Sequence, residues 1–202
     1  MRPSLLAAWA LTLAASLPMA RGAHAADIGG LQLDDSAQVA GHSLKLNGGG
    51  ISMQMFFKVY AIALYLPERQ HSAEAVMDSS DPRRMTIWML RDVSGYDFSH
   101  SVAAYLGESG GTSGTAKGSL KRLCDAIASL PKGLRKGDVL TLDWIPETGT
   151  VVELNKQPVV APIQDRGLYQ ALLKVWLGDK PTSVPLKARL LGQAPELHAS
   201  VD

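Results

Sequence analysis

The sequence predicts an α+β domain built around one large antiparallel sheet. Residues 51–66 carry a strand pattern, and apolar residues at helical spacing begin at Phe98 and again at Leu168. These strand and helix patterns lie in separate blocks, whereas regular alternation of the two would indicate parallel βαβ units. The chain has 202 residues, which is enough for one domain with its own hydrophobic core.

The first 25 residues have the pattern of a secretory signal peptide. Arg2 precedes an apolar run over residues 5–17, and Ala23-His24-Ala25 forms a small-x-small cleavage site. The alternative, a transmembrane anchor, needs about 20 apolar residues, and this run is shorter. We therefore expect an exported, periplasmic protein that begins at or near Ala26, with one domain over residues 26–202.

The stretch from residue 46 to residue 68 predicts a strand that bends midway. Its odd positions from Ile51 to Val59 are apolar, and its even positions begin with Ser52 and Gln54. Such alternation is typical of a half-buried strand, so the odd positions 51 to 59 are expected to face the core. From residue 60 to residue 66 both faces are apolar, which predicts cover on both sides, and Pro67 ends the strand.

Three consecutive glycines precede this strand. Residues 39–46 predict an earlier strand, and Asn47-Gly48 is a turn signal that would end it. Gly48 to Gly50 therefore favour a tight turn or a bulge between two strands. Glycine has no Cβ, so these residues would also allow a ligand to approach the backbone closely. This alternative is compatible with a turn or a bulge.

The rest of the chain predicts three more strands and four helices. The strand patterns cover residues 85–90, 139–145 and 150–154, of which the last two read as a hairpin, and residues 157–163 predict an edge strand or an irregular segment. Ser94 and Asp97 resemble a capping box at the start of the first helix. Three of the predicted helices have apolar faces, formed by Phe98, Val102, Tyr105 and Leu106; by Leu120, Leu123, Ile127 and Leu130; and by Leu168, Leu172, Val175 and Trp176. The fourth is a short helix between Pro185 and Gly192.

Charge and cysteine content limit the classes of partner and site. The net charge is +1, or −1 once Arg2 and Arg21 leave with the signal, so no global field favours nucleic acid, and we expect none as a partner. The single cysteine, Cys124, excludes an internal disulfide. It lies at helical spacing among leucines, which predicts a buried thiol and not a nucleophile.

No motif in the chain indicates a cofactor or a metal. The glycine-rich segment 110–119 lacks the Gly-Lys-Ser/Thr of a phosphate-binding loop, because Gly118 follows Lys117. The histidines have no spacing suited to a metal site. A Ser-His-Asp triad is not excluded by residue order, but no local pattern marks a nucleophile.

Several motifs in order resemble the chalcone isomerase-like family, in particular its exported bacterial branch. They are the glycine triplet, "FFKVYAIALYLP", "MLRDVS", "GDVLTLDWIPETGT", "VVELN" and "VWLGDKP", followed by "LLG", and they span residues 39–192. The resemblance implies an open-faced β-sandwich, in which helices cover one side of a large antiparallel sheet and a ligand cleft lies between sheet and helices.

The resemblance also implies positions for the ligand site. The arginine that the plant enzymes carry after the glycine turn corresponds to Ser52, and their strand threonine corresponds to Tyr60. Their helical tyrosine corresponds to Tyr96, which places Ser99 and Ala103 at the lysine and asparagine positions. Serine has one weak donor where a guanidinium offers a fork of donors, so stabilisation of a developing enolate is weakened.

These departures predict a non-catalytic binding protein of the cell envelope, holding a small apolar ligand such as a fatty acid or an aromatic compound. The expected lining residues are Ser52, Met53, Tyr60 and Tyr96. No catalytic residue is assigned. The alternatives are an isomerase, of the intramolecular lyase type, on an unknown substrate, or an interaction module in an envelope assembly. In the last case the contact would be the basic run, which comprises Lys117, Lys121, Arg122, Lys132, Arg135 and Lys136.

Overall fold

The computed structural model describes residues 24–28, 30–108 and 114–193. Within them, seven antiparallel strands form one sheet in the order β3-β4-β5-β6-β7-β8-β9, and β1 and β2 form a separate hairpin. The strands are β1 His24–Ile28, β2 Leu31–Asp34, β3 Ser36–Val39, β4 His42–Gln54, β5 Phe57–Leu66, β6 Arg83–Met89, β7 Val139–Ile145, β8 Gly149–Leu154 and β9 Gln157–Pro158.

Five helices accompany the sheet in the part of the chain that the structure describes, and the predicted α+β class is confirmed. They are α1 Ala73–Asp78, α2 Gly95–Glu108, α3 Thr115–Ala128, α4 Arg166–Leu177 and α5 Val184–Leu190. One of the two bonds of the predicted capping box is present, since the Asp97 N–H donates to Ser94 Oγ over 2.9 Å, and the Asp97 carboxylate accepts from the Ser94 hydroxyl over 2.6 Å. Among the described residues no helix is long and apolar enough to cross a bilayer. The predicted signal peptide lies outside the described residues except for its last two, which belong to β1.

Two apolar clusters lie on opposite faces of the sheet. The larger joins the sheet to all five helices, with Ile62, Leu64 and Trp176 among its buried members. The smaller packs Leu33 of β2 against residues of β3, β4 and β5, including Ala63. Strand β5 therefore contributes alternate residues to each cluster, which confirms the prediction that residues 60–66 are covered on both sides.

The predicted single bent strand is in fact a hairpin. Strand β4 ends at Gln54, Met55 and Phe56 form the turn, and β5 begins at Phe57, which pairs with Gln54. The prediction that odd positions 51 to 59 face the core is wrong at Met53, Met55 and Phe57, which are exposed. The turn has no glycine, asparagine or proline, so the sequence offered no signal for it. We call residues 53–58 the hairpin tip.

The predicted turn at Asn47-Gly48 is also wrong, because β4 continues through it. The chain turns earlier, at Ala40 and Gly41, which both have positive φ. The Asn47 side chain is buried and donates to Leu190 O over 2.7 Å and to Gln70 O over 2.9 Å, so it joins β4 to the end of α5. A register shift in the β4–β5 pairing lies between Leu46 and Gly48, inside β4 and immediately before the glycine triplet, and not between two strands as the predicted bulge would.

The three glycines make room for neighbouring layers of the protein. A Cβ on Gly48 would lie 2.9 Å from the carbonyl oxygen of Leu190, and one on Gly50 would lie 2.7 Å from the Leu186 side chain, both in or beside α5. A Cβ on Gly49 would instead meet the Ile28 side chain at 2.7 Å on the other face. The close approach that glycine permits here is therefore to α5 and to the β1–β2 hairpin.

Candidate functional site: a cleft at the end of the sheet

A cleft of about 660 Å³ opens where the β4–β5 hairpin leaves the sheet. Its walls come from the two hairpin strands, the segment that follows β6, the first turns of α2, and the C-terminal end of α4. A volume of this size is within the range of small-molecule sites. The lining residues are Ser52, Met53, Gln54, Val59, Tyr60, Arg91, Asp92, Val93, Ser94, Asp97, Phe98, His100, Ser101, Val102, Tyr105, Val175, Trp176 and Thr182.

Ser52 and Tyr60 form the polar centre of the cleft floor. They are directly opposite each other in the β4–β5 pairing, so their side chains lie on the same face of the sheet. The Trp176 indole N–H of α4 donates to the Tyr60 hydroxyl oxygen over 2.9 Å. This bond fixes the phenol, and the Tyr60 hydroxyl hydrogen remains to be donated to Ser52 or to a ligand.

Burial keeps the Tyr60 hydroxyl protonated. Loss of hydration raises the pKa of Tyr60 above its usual value, because the phenolate would be the poorly solvated form, while hydrogen bonding to Ser52 and Trp176 opposes part of that rise. Around neutral pH the group is therefore a neutral hydrogen-bond donor. It can hold a carbonyl or a carboxyl oxygen but cannot act as a base.

The charged residues of the cleft lie at its rim. Arg91 stacks its guanidinium over the Phe57 ring, 5.5 Å from the centroid. Asp92 accepts the Lys136 N–H over 2.8 Å and the Arg135 Nη1 over 2.7 Å, and these bonds lower the pKa of its carboxyl group. Of the rim charges, Arg91 has no carboxylate within 4.0 Å among the described residues, so it is available to an acidic ligand.

Three of the four predicted lining residues come together in this cleft. Ser52, Met53 and Tyr60 line it, whereas Tyr96 does not. Tyr96 lies in the first turn of α2 with 64% of its surface exposed, and its ring stacks on His100 with centroids 5.5 Å apart.

The two further positions that the resemblance implied on α2 also lie outside the lining. Ser99 is buried, and its hydroxyl donates to Tyr96 O over 3.1 Å. Its own carbonyl accepts the Cys124 thiol of α3 at 3.6 Å. Ala103 does not line the cleft either. The helix lines the cleft with other residues, which are Asp97, Phe98, His100, Ser101, Val102 and Tyr105.

Sequence reasoning missed the contributions of Arg91, Trp176 and Thr182. Trp176 was assigned to the core face of an amphipathic helix, and it is indeed buried, but the edge of that face also forms the cleft floor. Arg91 follows β6 within the stretch "MLRDVS", for which the resemblance to the family implied no site residue. The signal that could have identified Arg91 was its position just after a buried strand, since binding residues often lie on the loops that connect such strands.

A second space, below the cleft, is too small for a ligand. It is lined by apolar residues of the sheet and of α2, α3 and α4, and its volume is about 20 Å³, which is room for one water molecule. Cys124 lies at its wall, and burial raises the pKa of this thiol to about 11, so it is not a nucleophile near neutral pH.

Among the described residues no cluster of histidine, cysteine, aspartate or glutamate has the arrangement of a metal site.

Comparison with known proteins gives a family and a fold. A search of curated proteins finds no significant match. Among solved structures, a fatty-acid binding protein of Arabidopsis thaliana is similar with a TM-score of 0.62 at 14% identity, over 80% of this chain and 92% of that one. At this identity the similarity shows a shared fold. The model of the chalcone isomerase-like family matches residues 25–192, and the chain therefore belongs to the chalcone isomerase-like family.

Proposed function

We propose that this protein binds a small, largely apolar ligand in the cleft and does not transform it. The observation that carries the proposal is the floor of the cleft, where Ser52 and the Trp176-bound Tyr60 offer neutral hydrogen-bond donors among apolar side chains. Such a floor suits an aromatic or acyl body with one oxygen function placed on the two hydroxyls. Ser52, Met53 and Tyr60 are the proposed lining residues from the hairpin.

The cleft favours a compact ligand over a long one. The enclosed apolar space beneath the floor holds about 20 Å³, so it accepts no acyl chain without a rearrangement of α2, α3 and α4. An aromatic acid or a medium-length fatty acid would place its apolar part on Val59, Val102 and Val175. Its carboxylate would reach either the floor hydroxyls or Arg91 at the rim. The structural similarity to a fatty-acid binding protein supports a carboxylate ligand.

Displacement of a fluorescent fatty acid from the purified protein tests the proposal. We expect aromatic acids and medium-chain fatty acids to compete at micromolar concentration, and stearate to compete less well. Tyr60→Phe should weaken competition several-fold, because the ligand oxygen loses a donor. Tyr96→Phe is the matched control and should compete as wild type. Failure of the wild-type protein to bind the probe or any of these acids would contradict the proposal.

Replacement of Ser52 by arginine tests the role of the missing guanidinium. Ser52→Arg should increase the affinity for fatty acids at least tenfold, because it places a fork of donors beside Tyr60. Ser43→Arg, on an exposed position of the same strand, adds the same charge outside the cleft and should leave the affinity unchanged. Equal gains in both variants would show that the effect is one of net charge.

An isomerase of the intramolecular lyase type is the second candidate. The feature that favours it is the protonated Tyr60 hydroxyl, which could polarise the ketone of a substrate. Loss of one such donor in an enzyme lowers the rate by about 100- to 1000-fold, and here the arginine position carries serine. We expect no more than background cyclisation of naringenin chalcone. An enzyme-like rate in wild type that Tyr60→Phe abolishes would establish the isomerase instead.

We also propose that the protein is exported to the periplasm. The family match begins at residue 25, where the predicted signal peptide ends, and this agreement supports cleavage before Ala26. N-terminal sequencing of the protein recovered from the periplasm should read Ala26 or a residue next to it. Recovery in the cytoplasm with Met1 retained would contradict export.

A further inference from the structure

The hairpin tip, residues 53–58, extends beyond the sheet. Strand β6 pairs with β5 only from Tyr60 onward, and the last bond between them is from the Leu90 N–H to Val59 O. The tip is therefore held by pairing between its own two strands. Its apolar side chains are exposed, Phe56 to 91% and Met55 to 83%.

The stability of the folded protein in water does not explain the backbone conformation of the tip or its exposed apolar residues. Met55 opens the turn with a φ of 56°, a left-handed conformation that favours glycine in two-residue hairpin turns. The next residue, Phe56, is almost fully exposed. Both choices disfavour the folded monomer in solution. A strained backbone that presents large apolar residues to solvent suggests a surface that is used.

The tip and the segment that follows β6 carry two cations, while Asp97 of α2 is a cleft-lining carboxylate with no cation within 4.0 Å among the described residues. From residue 36 to residue 67 the chain contains no aspartate or glutamate, and Lys58 lies within the tip itself. Arg91, on the neighbouring segment, places its guanidinium over the Phe57 ring. The adjacent carboxylate, Asp92, is held by Arg135 and by the Lys136 N–H. Two cations therefore flank the exposed apolar residues.

We propose that the hairpin tip, together with Arg91, docks on the surface of an anionic phospholipid bilayer. Aromatic and methionine side chains would enter the boundary between headgroups and acyl chains, typically about 5–10 Å deep, while the cations contact lipid phosphates. The dimensions favour a bilayer over a protein partner. A protein interface usually buries about 800 Å² on each side, which the narrow end of one hairpin does not offer, whereas a bilayer closes around a protrusion.

The docking surface is continuous with the cleft. Met53 and Arg91 belong both to the surface and to the lining of the cleft, so the mouth of the cleft would face the bilayer. If the cleft binds an apolar ligand, as proposed above, the ligand could pass between bilayer and cleft without crossing water. Docking itself does not require that function, and the two are tested separately.

Cosedimentation of the full chain with vesicles tests the docking. The protein should sediment with vesicles of phosphatidylglycerol and phosphatidylcholine in equal parts and far less with phosphatidylcholine alone. The double variant Phe56→Ser, Phe57→Ser should reduce partitioning at least tenfold, because it removes the apolar residues that enter the bilayer. Val184→Ser removes an exposed apolar residue on α5 and should partition as wild type.

Two further variants separate charge from apolar contact and docking from ligand binding. Lys58→Gln should reduce the preference for phosphatidylglycerol several-fold, with less effect on phosphatidylcholine. Tyr60→Phe, which alters the cleft floor, should partition as wild type even where ligand binding fails. All variants should have the urea midpoint of wild type, apart from Tyr60→Phe, because the altered residues are exposed.

Several outcomes would overturn the proposal. The proposal fails if the wild-type protein partitions into neither kind of vesicle. It also fails if the wild-type protein and the double phenylalanine variant partition equally. A mass in sedimentation equilibrium that rises with concentration and falls in that variant, without vesicle binding, would instead assign the tip to contact between copies of the chain.

Discussion

The two ends of the β4–β5 hairpin are both rich in apolar residues but lie in opposite environments. At one end, residues 61–66 are buried on both faces, and the glycines of β4 let α5 and the β1–β2 hairpin approach the backbone. At the other end, Met53, Met55, Phe56 and Phe57 are exposed. An apolar pattern in a strand therefore does not establish burial, since burial requires that another layer reach that part of the strand.

The largest contrast is expected between truncations at the two ends of β5. Leu64→Ala should lower the free energy of unfolding by about 3 kcal/mol, because it leaves a cavity in the larger core cluster. Phe57→Ala should change it by less than about 0.5 kcal/mol, since the side chain is largely exposed. Urea denaturation measures both. Similar losses would mean that the tip is packed and that the register of the hairpin is wrong.

A smaller effect is expected where the glycines admit α5. Gly48→Ala should destabilise the protein by about 2 kcal/mol, because its Cβ would overlap the backbone at the end of α5. The control is Gly118→Ala, in the interior of α3 with open space around it, which should stabilise by about 0.5 kcal/mol through helix propensity. Thermal melts should therefore shift in opposite directions, and a tolerated alanine at Gly48 would show that α5 does not pack as described.

At the boundary between the two ends, Tyr60 links the sheet to α4. Tyr60→Phe keeps the ring but leaves the buried Trp176 N–H without its acceptor, so stability should fall by about 1 kcal/mol. The exposed Tyr96 provides the matched control, and Tyr96→Phe should have no measurable effect in the same urea melt. An unchanged midpoint for Tyr60→Phe would indicate that water replaces the hydroxyl.

The smallest effect concerns the turn itself and has the opposite sign. Met55→Gly should stabilise the protein by about 0.5 kcal/mol, because glycine adopts the positive φ without steric cost. The gain is small, since glycine also loses more backbone entropy on folding. Gln54→Gly, in strand β4 beside the turn, should destabilise by a similar amount. Destabilisation by both would indicate that the Met55 side chain contributes packing to the tip.

The sequence predicted elements well where a local signal was present. The β7–β8 hairpin, the Ser94–Asp97 cap and helix α4 were found because turn residues and periodicity mark them directly. Helix α1 and the β1–β2 hairpin were missed, since each is too short for a periodic pattern. In the site, Ser52 and Tyr60 were located through the resemblance to the family, which assigned no role to Arg91 and Trp176 although its motifs contain both.

By itself the sequence determined the class of the fold, the order of most of its elements, the lack of an internal disulfide and the uncharged residue at position 52. These follow from local periodicity and from residue identity. The tertiary structure decided where the hairpin turns, which glycines face α5, and that Trp176 of α4 meets Tyr60 of β5. Such features depend on contacts between residues far apart in the chain, and the same apolar pattern is compatible with a buried strand or an exposed hairpin tip until the neighbouring layers are in place.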